Sequence, residues 1–252
     1  MTFGDYSTAL VTGATSGIGA ALVERFREHG LTVHAVARNA ERLAELEERT
    51  GAVGHVADLR DTDALEATLS GLEIDVLANV GGVSRNGNVL DATRDDIDDM
   101  IEVNLGAVLH LSRLVLPGMV ARDRGHVVTI SSIAGHYNFF GHTAYHATKA
   151  AIHQLSRQLR NDTLGKRVRV TEISPGRVET EIFARNSGGT PEDIAQAHAT
   201  YFEGYESLTT EDVVNAIAFA IDAPRHVNVG LIEIMPTFQV PGGLTFDRRT
   251  ED

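Results

Sequence analysis

The chain has 252 residues, a formal net charge of −13 and no cysteine. Its acidic residues are scattered and no basic stripe opposes them, which argues against nucleic acid or an anionic membrane as the main partner. Without a thiol there is no disulfide framework, no thiolate metal site and no cysteine nucleophile. One domain is the expectation, since α/β chains of this size form a single large core. Residues 1–7 lack a charged segment leading into a long apolar run, and no later run approaches the roughly 18–20 residues needed to span a bilayer. The reading is therefore a cytoplasmic protein acting on a small molecule.

Short β-branched runs alternate with stretches of helical period. Strands are predicted over 8–11, 32–37, 53–56, 74–79, 126–131, 167–173 and 231–235, with helices between them. That alternation is the pattern of βαβ units, hence a Rossmann-like, doubly wound parallel α/β sheet of about seven strands with helices on both faces. One long helix is expected over 93–122, with Thr93 as N-cap and Asp95 and Asp96 favoured by its dipole. The least regular stretch, 179–208, contains Ser187, Gly188, Gly189 and Pro191 and reads as a lid.

Thr12-Gly13-Ala14-Thr15-Ser16-Gly17-Ile18-Gly19 follows the first strand and opens a helix whose apolar positions include Leu22, Val23 and Phe26. Glycines there let the backbone turn tightly and approach a pyrophosphate, whose charge meets free N–H groups at the helix N-terminus. An acid at the end of the second strand would hydrogen-bond an adenosine ribose and repel a 2′-phosphate. This chain has Ala37 followed by Arg38 and Asn39, and a guanidinium suits the 2′-phosphate. NADP(H) is expected over NAD(H).

Tyr145 and Lys149 stand four apart in a stretch that reads as a helix start, so their side chains share a face. A nearby ammonium favours a phenolate and lowers the phenol's pKa, so the pair is expected to act as one acid/base unit. Ser132 lies thirteen residues upstream at the end of the fifth strand, where open sheets hold ligands, with Ser131 as its competitor. Asn104 sits mid-helix, where asparagine needs another job to be tolerated.

The three-residue gap of the glycine turn, Asn104, Ser132, the Tyr-x-x-x-Lys pair and Pro175-Gly176-Arg177-Val178-Glu179-Thr180 come in the order of the short-chain dehydrogenase/reductase family, over about 170 residues. The chain resembles that family. The resemblance implies an oxidoreductase acting on CH–OH groups, with Tyr145 moving the substrate proton, Ser132 orienting the carbonyl and Lys149 holding the nicotinamide ribose. It also implies that Asn104 holds a water linking Lys149 to solvent. Cofactor contacts would come from Asp58 and Leu59 at the adenine, Asn79, Val80 and Gly81 after the fourth strand, and Pro175, Gly176, Val178 and Thr180 at the nicotinamide. The family's usual Asn-Asn-Ala-Gly is here Asn79-Val80-Gly81-Gly82.

The stretch 116–126, the approach Arg169-Val170-Thr171 and the ending through Pro236, Thr237 and Gln239 resemble one branch: bacterial NADP-dependent 3-hydroxy acid dehydrogenases of serine and allo-threonine, with reductases of sulfoacetaldehyde and clavulanate-type aldehydes. That implies a homotetramer and a tail over 236–252 that helps close the substrate site. Arg177 either receives a substrate carboxylate or sulfonate or pairs with Glu179 or Glu181. No metal is assigned: His142 and His146 have i, i+4 spacing but no third ligand.

Overall fold

The structure is a computed structural model that describes residues 3–85, 87–182, 190–204 and 206–240. Its strands are β1 (Thr8–Thr12), β2 (Thr32–Ala37), β3 (Val53–Val56), β4 (Val76–Asn79), β5 (Gly125–Ile130), β6 (Val168–Pro175) and β7 (Leu231–Ile234). They form one sheet in the order β3-β2-β1-β4-β5-β6-β7. Every pairing is parallel. The expected strands match within two residues at each end. β4 starts late because Asp75 turns its carboxylate to the Ser7 N–H at 2.9 Å and to Arg124. β6 runs on to Pro175 because Ser174 and Pro175 pair with Glu233 and Ile234, a partnership no local pattern announces.

The helices are α1 (Gly17–Glu28), α2 (Ala40–Thr50), α3 (Thr62–Leu69), α4 (Arg94–Ile101), α5 (Ala107–Ala121), α6 (Thr143–Asp162), α7 (Pro191–Tyr201) and α8 (Thr210–Asp222). Alternation along each strand feeds two cores. Ala9, Val11, Val76 and Val128 pack with Leu22, Phe26, Val213 and Ile217 on one face. Leu10, Leu77 and Val127 pack with Leu111, Met119 and Leu159 on the other. Each such side chain contributes roughly 1.5–3 kcal/mol by leaving water.

The single helix expected over 93–122 is corrected in one respect. Thr93 caps it, accepting from the Asp96 N–H at 3.1 Å, but a π-helical segment, Glu102–Gly106, joins α4 to α5. The cause is local: the Asn104 side chain bonds Val83 through both its carbonyl and its amide, at 2.8 Å each. π-bulges of this kind recur at functional sites. The continuous helix Arg94–Ala121 is long and apolar enough to cross a bilayer by length and composition. Its Leu111, Val115, Leu116 and Met119 instead fill the second core.

The described part of the stretch 179–208 is more regular than its composition predicts. It contains α7, whose Thr190 and Asp193 form a capping box. Its two ends are clipped together, Glu179 N–H donating to Leu208 O at 2.8 Å and Leu208 N–H to Arg177 O at 2.9 Å. Residues 183–189 and 205 of the expected lid, and 241–252 of the expected tail, lie outside the described residues.

Candidate active site

The strand order reverses between β1 and β4, and ligands of open α/β sheets bind in the crevice beyond such a point. A cleft of about 390 Å³ lies there. Its walls include Gly13, Thr15, Ser16, Gly17, Ile18 and Gly19 from the turn, Arg38 and Asn39 after β2, Asp58 and Leu59 after β3, Val80 and Gly81 after β4, and Thr180. Asn79, expected among these, is buried beneath the floor, its amide 3.4 Å from Thr129 Oγ1.

The turn is built for close backbone approach. The Ser16 side chain makes no capping bond to α1, and the first turn of that helix carries no acidic residue. A Cβ on Gly19 would stand 2.2 Å from the Gly13 carbonyl oxygen, and one on Gly13 would stand 2.7 Å from Gly81 Cα. The departure at Asn79-Val80-Gly81-Gly82 has a packing reason: Leu59 Cδ1 occupies the space that a side chain on Gly81 would need, 2.6 Å away. The segment is held by backbone, since the Val80 and Gly81 N–H groups donate to Thr12 Oγ1 at 3.1 and 3.0 Å. Gly19→Ala is expected to lower stability by about 1–3 kcal/mol through overpacking against rigid backbone. It should also abolish the rise in Tm that NADPH gives the parent chain, both readable by thermal unfolding.

At the far end of this cleft stand two guanidinium groups. Arg38 is the expected one, 3.8 Å from Asp58. Asp58 is bound more closely by Arg60 at 2.7 Å, whose hydrogen bonds hold the carboxyl below its ordinary range. Asn39 caps α2, accepting from the Arg42 N–H at 2.8 Å. Arg42 also lines the cleft and pairs with Glu181 at 3.2 Å. Sequence reading missed Arg42, although it falls one helical turn after Arg38.

A second pocket of about 400 Å³ continues from the first, sharing Ile18, Val80, Gly82, Thr180 and Ile182. It gathers Ser132, Tyr145 and Lys149 with Pro175, Gly176 and Val178. The Ser132 hydroxyl shares this pocket with the Tyr145 phenol and accepts from the Ala134 N–H at 3.1 Å. Ser131, its competitor, instead donates to the Lys149 carbonyl at 3.3 Å, on the buried side. Asn104 stands behind the pocket. Gly82 separates it from Lys149, for a Cβ there would lie 3.2 Å from Asn104 Oδ1 and 3.8 Å from Lys149 Nζ. The Asn104 amide also reaches Thr148 Oγ1 at 3.3 Å, linking the loop after β4 to α6.

The electrostatics differ from the expectation that Lys149 makes Tyr145 acidic. Lys149 Nζ donates to the Ile130 carbonyl at 2.9 Å and stands 5.6 Å from the centroid of the Tyr145 ring. Burial raises the Tyr145 pKa above its ordinary value, the Ser132 hydroxyl opposing it. Burial also pulls Lys149 down to about 8, with the Glu172 carboxylate resisting. At neutral pH the free chain therefore carries a loaded phenol beside an ammonium that is only weakly held.

The outer wall holds Gln239, from the tail expected to close the site, and two residues that sequence reading did not single out, Phe139 and Phe140. His146 fixes the latter two, donating from Nδ1 to the His142 carbonyl at 2.7 Å and accepting the Phe139 N–H on Nε2 at 3.0 Å. Both of its nitrogens are thus engaged. Gln239 Oε1 accepts the Arg177 N–H at 2.8 Å and lies over Gly176, where a Cβ would meet it at 2.3 Å. Arg177 lines the same pocket. Glu181 pairs with Arg42, and Glu179 with His198 at 3.0 Å.

A sheet of this order, a glycine turn at its switch point and a tyrosine–lysine helix facing a strand-end serine agree with the sequence comparisons. A short chain dehydrogenase profile matches residues 7–189, and the chain belongs to that family. It is 38% identical over 250 residues to the NADP-dependent 3-hydroxy acid dehydrogenase YdfG of Escherichia coli strain K12, covering 95% of this chain and 99% of that one. To the serine 3-dehydrogenase of Rhizobium radiobacter it is 35% identical over 251 residues, covering 96% and 99%. The solved closed form of a serine dehydrogenase complexed with NADP+ superposes with a TM-score of 0.91 at 37% identity, covering 96% of this chain and all of that one.

Proposed function

We propose that the chain is an NADP(H)-dependent oxidoreductase of a small polar aldehyde, ketone or 3-hydroxy acid. The observation that carries this reading is the convergence of Ser132, Tyr145 and Lys149 on one pocket, set where the glycine-turn cleft opens into it. NADP(H) supplies the hydride. The uncapped first turn of α1 and the glycines at 13, 17 and 19 fit its pyrophosphate, Arg38 and Arg42 fit a 2′-phosphate, and Asp58 and Leu59 flank the adenine position. Thr180, Pro175, Gly176 and Val178 would line the nicotinamide, with Lys149 at the ribose. NADH is the weaker cofactor on this reading.

Tyr145 gives its proton to the carbonyl oxygen in reduction and takes it from the hydroxyl in oxidation. Ser132 donates to the same oxygen and stabilises the charge that develops there. Lys149 refills the proton from behind, and Asn104, fixed by Val83 and Thr148, anchors the water that leads to solvent. The clipped segment 179–208 acts as a lid and the tail through Gln239 seals the other side. Exposed Ile101 and Leu109 on the α4–α5 helix and the position of β7 at the end of the sheet support a homotetramer, which light scattering would test. The expected location is the cytoplasm, where NADPH is regenerated.

The direct test is NADPH absorbance against a panel of small aldehydes, keto acids, hydroxy acids and polyols. Turnover of no member would reject the enzyme reading. A second reading, a dehydrogenase of a less polar secondary alcohol, is favoured by the aromatic wall of Phe139 and Phe140. Arg177 separates the two. Arg177→Met is expected to raise KM for an acidic substrate by about 10- to 100-fold, the loss of one charge-assisted bond, and to leave a neutral substrate nearly unaffected. Equal effects on both would remove Arg177 from the substrate site.

A further inference from the structure

Behind Lys149, away from both clefts, three residues from separate elements converge. Glu172 on β6 is 1% exposed. His153, one turn after Lys149 on α6, places Nδ1 2.7 Å from Glu172 Oε2. His136, ending the 3-10 turn Ile133–Gly135, places Nε2 3.3 Å from Glu172 Oε1. The imidazole rings stand 4.2 Å apart at 74°. One ligand atom from each residue lies within 4.8 Å of the other two.

The two contacts to Glu172 are of different kinds. His153 makes a hydrogen bond. His136 Nε2 and Glu172 Oε1 are both buried, and despite their separation neither has a hydrogen-bond partner. Two buried polar atoms left facing each other are costly unless a third group satisfies both, and a cation between them would do so. A tetrahedral ion with ligand bonds of about 2.0–2.2 Å holds its ligand atoms about 3.4 Å apart, close to the 3.3 Å between His136 Nε2 and Glu172 Oε1; the 2.7 Å His153–Glu172 contact is a hydrogen bond that the ion would replace and widen.

We propose that His136, His153 and Glu172 form a structural site for a divalent transition metal, zinc by preference, with water completing the shell. Two imidazoles and one carboxylate suit zinc, cobalt or nickel and not the hard cations magnesium or calcium. None of the three residues lines either cleft. The ion ties together the turn that follows Ser132, the helix of Tyr145 and Lys149, and the strand that ends at Pro175. It therefore braces the substrate side of the site without touching substrate.

Chelator-treated full-length protein titrated with Zn²⁺ by calorimetry is expected to bind one ion per chain and to gain thermal stability. Co²⁺ in its place is expected to give the intense visible bands of a four-coordinate N/O site. His153→Ala and Glu172→Gln should each weaken Zn²⁺ binding by more than about 100-fold, beyond what loss of an outer-shell partner costs. His142→Ala, at the other histidine pair, should leave it unchanged. Far-ultraviolet circular dichroism and NADPH fluorescence report whether each variant is folded, and His136→Asn serves where Glu172→Gln is not. Absence of stoichiometric binding in the parent chain, or binding that survives the His136→Ala/His153→Ala double change, overturns the proposal in favour of a histidine–carboxylate ion pair.

Discussion

Tyr145→Phe is expected to lower kcat by about 10²- to 10⁴-fold, the range for removing a positioned proton carrier, with little change in NADPH affinity. The ring stays to pack, and only the hydroxyl that shares the pocket with Ser132 is lost. Stopped-flow turnover and NADPH fluorescence titration separate the two effects, and a variant that loses affinity as steeply as kcat would place Tyr145 in binding and not in proton transfer. The same geometry sets the pH dependence, because kcat/KM reports groups of the free enzyme. Reduction needs the phenol protonated and Lys149 charged to stabilise the phenolate left behind. Lys149 loses its proton at about 8, so kcat/KM for reduction is expected to be flat below that pH and to fall above it. Stability moves the other way. The unfolded chain keeps the lysine proton to its ordinary value of 10.5, so from about 8 to 10.5 the folded state gains stability as pH rises.

The second large effect lies at the other end of the cofactor cleft. Arg38→Leu is expected to lower kcat/KM for NADPH by about 10- to 150-fold, the equivalent of about 1.5–3 kcal/mol for a hydrogen bond to a charged group. With NADH the change should be small, since the parent chain offers that cofactor no phosphate to bind at this end. Arg42 limits the loss, because a second guanidinium remains one helical turn away. Its pairing with Glu181 ties this end of the cleft to the 179–208 segment. A parallel drop with both cofactors would mean that Arg38 supports the fold of the cleft and does not select between them.

Much of this was legible in the primary structure, for identifiable reasons. Period-two and period-3.6 patterning is local, so all seven strands and most helices follow from residues near one another in the chain. The glycine turn is legible because only residues without a Cβ fit there, as the 2.2 Å approach at Gly19 illustrates. The i, i+4 spacing of Tyr145 and Lys149 is fixed by helix geometry alone. Asn104 stood out as a poor helix former, and its bonds to Val83 accompany the π segment that replaced the expected regular helix.

What only the tertiary structure decided are the quantities that depend on burial and on distant partners. Spacing predicts that Lys149 acidifies Tyr145, but the ammonium turns to the Ile130 carbonyl and desolvation raises the phenol instead. Gly81 packs against Leu59, Arg177 meets Gln239 from far along the chain, and His136, His153 and Glu172 share no motif yet meet around one point. Patterning and steric limits act within a few residues and can be read from the chain. Desolvation and convergence arise only once the sheet has brought remote segments together.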